Sequence, residues 1–186
     1  RVGLKNLGST CFLNSCLQQL FGIPPLRKAI IEYSGDDTFT LELQKVFARL
    51  LMSNLSFTNP SNLVKEWKDY DNEPINPMMQ QDAGEFFLMS LQKLEGPLGS
   101  SFINSLFQGM QKDVIEGLTE EYMSESYQPF CPFSVSVKQA SCMNEAFDVF
   151  KNPSMFTGEN QYKASSLDKF IDAKKTSYIK QLPPYL

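Results

Sequence analysis

The 186 residues carry 17 Lys and Arg against 21 Asp and Glu, a net charge of -4, with 42% hydrophobic and 12% aromatic residues. That apolar content suffices for one substantial core and a small appendage, and it argues against disorder. The charge is mildly acidic and the lysines are dispersed, which lacks the basic footprint of nucleic-acid binding. No apolar run approaches the roughly 20 residues that span a bilayer, so neither nucleic acid nor membrane is an expected partner.

In chain order, Phe12, Leu13, Leu17, Leu20 and Phe21 recur at helical spacing behind the turn residues Gly8-Ser9-Thr10, which predicts a helix starting at Thr10 or Cys11. Pro24-Pro25 ends it, a short helix over 26–33 follows, and 34–37 reads as a loop. Phe39, Leu43, Val46, Phe47, Leu50 and Leu51 form the clearest amphipathic stripe in the chain. Another helix is expected over 60–70 with Leu63, Val64 and Trp67 inward, broken by the polar run 71–77. Ala83, Phe86, Phe87 and Leu91 then repeat at helical period from a start near Gln80. Gly84 inside that helix costs about 1 kcal/mol relative to alanine and points to close packing.

Beyond Gly96 the texture changes to short extended runs. SLFQGMQKDVI and PFCPFSVSVK read as strands, the second on the alternation of Phe133, Val135 and Val137. The polar stretch 116–128 between them is a loop or a weak hairpin. A short helix over 144–150, a loop over 153–160 and a strand over 174–182 complete the pattern. Helices first and strands afterwards argue an α+β chain with two segregated parts.

Cys11, Cys16, Cys131 and Cys142 form no CxxC pair, and without histidine the chain offers no recognisable zinc set. Cys11 and Cys16 point to different sides of one helix. Reduced thiols are expected, as in a cytoplasmic or nuclear protein. The chain opens on Arg1 and stops at LPPYL, and both ends are read as cuts in a longer protein.

The stretch with chemical content is GLKNLGSTCFLNSCLQQL, residues 3–20, which puts a cysteine where a turn becomes a helix. A thiolate attacks a carbonyl, and unpaired N–H groups at a helix start favour negative charge. Asn6 is placed to turn back toward Cys11 across the Gly8 turn, where its amide could hold an oxyanion. Free cysteines in apolar helices are more commonly packing residues, so this argument alone leaves Cys11 open.

The wording of the segment closely resembles the cysteine box of ubiquitin-specific proteases, GLxNLGxTCYxNSxLQ. Gly3, Leu4, Asn6, Leu7, Gly8, Thr10, Cys11, Asn14, Ser15, Leu17 and Gln18 match, and Phe12 replaces the usual tyrosine. The family's second motif, QQDAxEF, appears at residues 80–86, with further likeness in LFQG, GENQY and IKQLPPYL. The resemblance implies a papain-like cysteine peptidase fold, with a helical thumb over 1–96 and the start of a β-rich palm and fingers over 97–186. It implies cleavage of the peptide or isopeptide bond after the C-terminal glycine of ubiquitin. Cys11 would be the nucleophile and Asn6 the oxyanion-stabilising amide, while Asp82 and Gln80 would lie beside the channel for the ubiquitin tail. The partners implied are ubiquitin and ubiquitinated proteins, and no cofactor is implied.

Bland readings stand beside these. Asn6 equally suits a turn cap, Asp82 a helix N-terminal acid, and Glu85 a buried structural partner. Phe86 and Phe87 read as core, and Cys16, Cys131 and Cys142 as structural thiols. Two departures from the family matter. The chain holds a nucleophile without a histidine base, so these residues alone are expected to be inactive, and a silent ubiquitin-binding or scaffolding relative is the alternative. The finger windows, with Ala164 and Leu167 where a CxxC pair would stand, carry no cysteine, so zinc is not expected.

Overall fold

The computed structural model describes residues 2–68, 73–138 and 140–185. They form two compact units, one running to Ser105 and including Tyr185, the other Leu106–Pro184.

The first unit is helical. Strand β1, Gly3–Leu4, leads into helix α1, Cys11–Phe21, which buries Phe12, Leu13, Leu17 and Leu20 on one face. Helix α2, Pro24–Ile31, takes its two prolines in the first turn, where a missing N–H costs no helical bond. Helix α3, Thr38–Met52, buries Phe39, Leu43, Val46, Phe47 and Leu50 of the predicted stripe, while Leu51, expected with them, is exposed in the last turn. Strand β2, Phe57–Thr58, pairs in parallel with β1, and the Lys5 N–H donates to the Thr58 carbonyl at 2.9 Å. Helix α4, Ser61–Glu66, is shorter than the predicted span, whose positions 69 and 70 lie outside the described residues. Helix α5, Ala83–Leu98, begins three residues later than expected because Asp82 caps it, accepting from the Glu85 N–H at 2.9 Å. Trp67, Phe47, Phe86 and leucines from α1 to α5 make the core, with Trp67 stacked on Phe86 at 4.8 Å and Phe12 edge-on to Phe86 at 5.5 Å.

Helix α6, Ser100–Phe107, occupies residues that were expected to open a strand. The strand starts only at Gly109. In the second unit β3 (Gly109–Gly117), β4 (Met123–Phe130), β5 (Ser154–Phe156) and β8 (Ala173–Gln181) form an antiparallel sheet in the order β4-β3-β8-β5. Between them lie helix α7, Met143–Lys151, and a small hairpin of β6, Tyr162–Ala164, with β7, Lys169–Ile171. Residues 131–138, predicted as a strand, are not one. Phe133 instead packs against Phe130, Phe147 and Phe150 at 5.0, 5.8 and 4.8 Å, a cluster built on α7. The polar stretch read as a loop or weak hairpin supplies most of β4, and part of the predicted loop 153–160 is β5. The α+β class expected from the sequence is the class observed.

Candidate active site

The site is built on the turn between β1 and α1, inside the first unit. Asn6 turns its side chain into that turn, where Oδ1 accepts from the Gly8 N–H at 3.2 Å, the Thr10 N–H at 3.1 Å and the Thr10 hydroxyl at 3.0 Å. Two of those donors are backbone N–H groups, which only an oxygen can accept. The orientation of the amide is therefore fixed, and Nδ2 faces away from the turn with no acceptor among the described residues. Thr10, fully buried, locks the arrangement by accepting the Leu7 N–H at 3.0 Å on the same hydroxyl.

Backbone donors in the turn divide unevenly. Gly8 and Thr10 give theirs to Asn6, and Ser9 gives its own to the Pro77 carbonyl at 2.7 Å. The Cys11 N–H, first in α1, has no acceptor among the described residues. An exposed thiol thus stands beside one free backbone N–H at a helix start, in a turn whose Asn6 amide also has a free donor. That is the equipment for holding an oxyanion on a carbonyl attacked by sulfur.

The turn itself depends on Gly8. Its φ of 137° is a conformation that side chains disfavour, and a Cβ there would lie 2.7 Å from Met78 Sδ and 2.9 Å from the Pro77 carbonyl oxygen. From the strand side, Asn14 of α1 donates from Nδ2 to the Lys5 carbonyl at 3.3 Å.

Cys16, the second thiol of α1, faces α5 instead. It donates to the Ala83 carbonyl at 3.3 Å, and burial, seconded by the negative charge of Asp82, pushes its thiol up from the ordinary value. Cys16 is a poor nucleophile at neutral pH for that reason. The same contact places Asp82 against the cysteine helix. Asp82 and Gln80 are both exposed. Glu85, read as a buried partner, is exposed, and its backbone N–H donates to the Asp82 carboxylate.

A family model described as ubiquitin carboxyl-terminal hydrolase matches residues 2–186. The chain belongs to that family. It is 34% identical over 192 residues to ubiquitin carboxyl-terminal hydrolase 34 of Homo sapiens, covering all of this chain and 5% of that protein. It is 32% identical over 197 residues to ubiquitin C-terminal hydrolase 13 of Arabidopsis thaliana, covering all of this chain and 17% of that protein. The ubiquitin carboxyl-terminal hydrolase puf of Drosophila melanogaster is 30% identical over 192 residues, again across this whole chain and 5% of the relative. The chain therefore spans a small part of the curated relatives it matches.

Within this family member the turn is held by Thr10, which the sequence places among its turn and capping residues, and by Pro77, which the sequence gives no role there. Thr10 was legible as a capping residue beside Asn6. Pro77 was not, because its contribution is a backbone carbonyl delivered from a loop 68 positions along the chain.

Proposed function

We propose that the intact protein is a deubiquitinating cysteine protease that cleaves the bond after the C-terminal glycine of ubiquitin. The observation that carries this reading is the fixed orientation of Asn6. Its Oδ1 is consumed by the turn, which leaves Nδ2 as a donor in the same turn as the free Cys11 N–H and the exposed thiol.

In the proposed reaction the Cys11 sulfur, once deprotonated, attacks the glycine carbonyl carbon, and the oxyanion is held by Asn6 Nδ2 and the Cys11 N–H. The C–N bond breaks, the amine leaves with a proton, and a thioester remains. Water then attacks the thioester, releasing the glycine carboxylate and restoring the thiol. Thiol, base and water suffice, so no cofactor is required. The 186 residues include no histidine, and the proposed base is a histidine elsewhere in the intact protein. Asp82 and Gln80, exposed at the start of α5, are the proposed contacts for the ubiquitin tail. Ubiquitin and ubiquitinated proteins are the proposed partners, in the cytoplasm or nucleus.

The test is turnover of a ubiquitin C-terminal amide by the intact protein and by its Cys11→Ser variant. Cleavage should be abolished in the variant while its circular dichroism and ubiquitin affinity persist. Turnover by the variant near the wild-type rate would remove Cys11 as nucleophile. A wild-type protein that binds ubiquitin without cleaving it would be a silent binding or scaffolding relative.

A further inference from the structure

Between Trp67 and α5 the chain makes a loop whose described part, residues 73–82, touches the cysteine turn at one polar contact. Ile75 is buried in the core, and its N–H donates to the Trp67 carbonyl at 3.3 Å, which anchors the loop at its base. Asn76 then closes a tight turn in two ways. Its Oδ1 accepts from the Met78 N–H at 3.0 Å, and its carbonyl accepts from the Met79 N–H at 3.0 Å. Inside that turn the Pro77 carbonyl points at the cysteine turn and accepts the Ser9 N–H at 2.7 Å. Met78 lies over Gly8, whose lack of a side chain is what allows the approach.

Asn6 gathers the Gly8 and Thr10 N–H groups on one oxygen, but it does not hold the Ser9 peptide between them. The Pro77 carbonyl does. With the Ser9 peptide free to rotate, the Gly8 and Thr10 donors would no longer be held at the spacing that fits Asn6 Oδ1, and the direction of Nδ2 would loosen with them. Donors for an oxyanion act by being in place before charge develops, and displacements of about 1 Å at such a site can cost on the order of 100-fold.

We propose that Asn76 is a positioning residue for the reaction at Cys11: it shapes the turn that delivers the Pro77 carbonyl to Ser9 and so fixes the direction of the Asn6 amide. The proposal rests on the reading of Cys11 as nucleophile and Asn6 as oxyanion donor. It assigns a role to a residue outside both sequence motifs, with no contact to the substrate required.

The experiment compares intact wild-type protein with Asn76→Ala and Asn76→Asp on a ubiquitin C-terminal amide, measuring kcat and KM separately. Alanine removes the side-chain acceptor for the Met78 N–H, and aspartate keeps one. Asn76→Ala should lower kcat about tenfold with KM within about twofold, and Asn76→Asp should recover to within about threefold of wild type. Wild-type kcat in Asn76→Ala, or an equal loss in Asn76→Asp, would overturn the assignment. An effect confined to KM would do the same. Amide hydrogen exchange on the wild-type protein needs no variant to fold: Ser9 should exchange slowly, and exchange at the rate of a free amide would sink the proposal. A wild-type protein that cleaves nothing would instead overturn the reading of Cys11 on which the proposal stands, whereas full activity in Asn76→Ala overturns the tether alone.

Discussion

At Asn6 the two roles weighed from the sequence, capping the turn and stabilising an oxyanion, draw on different atoms of one side chain. Oδ1 accepts from Gly8 and Thr10, and Nδ2 is the free donor. A substitution that separates the atoms therefore separates the roles. Asn6→Asp in the intact protein keeps acceptor oxygens for the turn and removes the donor. It should leave the urea midpoint near wild type while kcat falls about 10²- to 10³-fold, the range for losing one oxyanion donor. Asn6→Ala should lose stability as well, because the Gly8 and Thr10 N–H groups and the buried Thr10 hydroxyl then lack their acceptor. An Asn6→Asp enzyme with unchanged kcat would reduce Asn6 to a turn residue. The residues of this site were legible because their types are chemically restrictive: a thiol, an amide and a glycine in one short turn. Their partner Pro77 was not, since a backbone carbonyl offered from a distant loop leaves no mark on residue type.

Helices reveal themselves when burial is one-sided, and α3 does so from Phe39 to Leu50. Its start is held by Asp37, whose carboxylate accepts from the Thr40 N–H at 2.8 Å and from the buried Thr40 hydroxyl at 2.7 Å. Asp37→Ala should cost about 1 kcal/mol, rising toward about 2 because the hydroxyl is stranded as well, measured as a shift in urea midpoint at constant slope. A change below about 0.3 kcal/mol would mean that solvent replaces both bonds. Strands were read less well, for a physical reason visible in two segments. Strand β4 is an edge strand exposed along most of its length, so its place is fixed by backbone bonds to β3 and its side chains show no apolar alternation. Residues 131–138 do alternate, but Val137 is exposed and the half-buried Phe133 packs against α7 and not across a ladder. Alternation records which side chains meet apolar neighbours, and a helix can supply those neighbours as well as a sheet can. In α6 the same ambiguity ran the other way, with Leu106 and Phe107 buried as helical residues just before β3.

Across the whole molecule the two units are held by different forces, and pH should separate them. The unit running to Ser105 is built on large apolar side chains, Trp67, Phe47 and Phe86 among them. The Leu106–Pro184 unit has a small cluster of Ala164, Ile171 and Ala173, and its strands are laced by ion pairs from Lys112 to Glu125 at 2.6 Å, Lys174 to Glu116 at 2.8 Å and Lys175 to Asp113 at 2.7 Å. Asp113 is almost wholly buried. Burial opposes its ionisation, but hydrogen bonds from Lys175, Ser177 and Gln111 outweigh that and hold its carboxyl below the usual range. The hydrogen bond from Lys112 holds Glu125 down in the same way, and those from Ser141 hold Glu145 down. A carboxylate lowered in the folded state contributes stability above its unfolded value of about 4 and loses it as pH falls through the folded value. On the alkaline side Lys112 and Lys174 are raised, chiefly by their bonds to Glu125 and Glu116. Their contribution is complete below the unfolded value of about 10.4 and disappears as pH rises through the folded one. The sheet unit should therefore be most stable between these limits and weaken at both ends. Trp67 is the chain's one tryptophan and sits in the helical unit, so its fluorescence in the 186-residue chain reports that unit alone. Acid titration below pH of about 4 should lose far-ultraviolet strand signal and tyrosine environment before the Trp67 emission shifts. Asp113→Asn should move the first transition to milder acid conditions at the expense of neutral-pH stability, because Lys175 then keeps a buried side without its counter-charge. Coincident tryptophan and strand transitions across the titration would show that the sheet does not depend on its charges separately from the helical core.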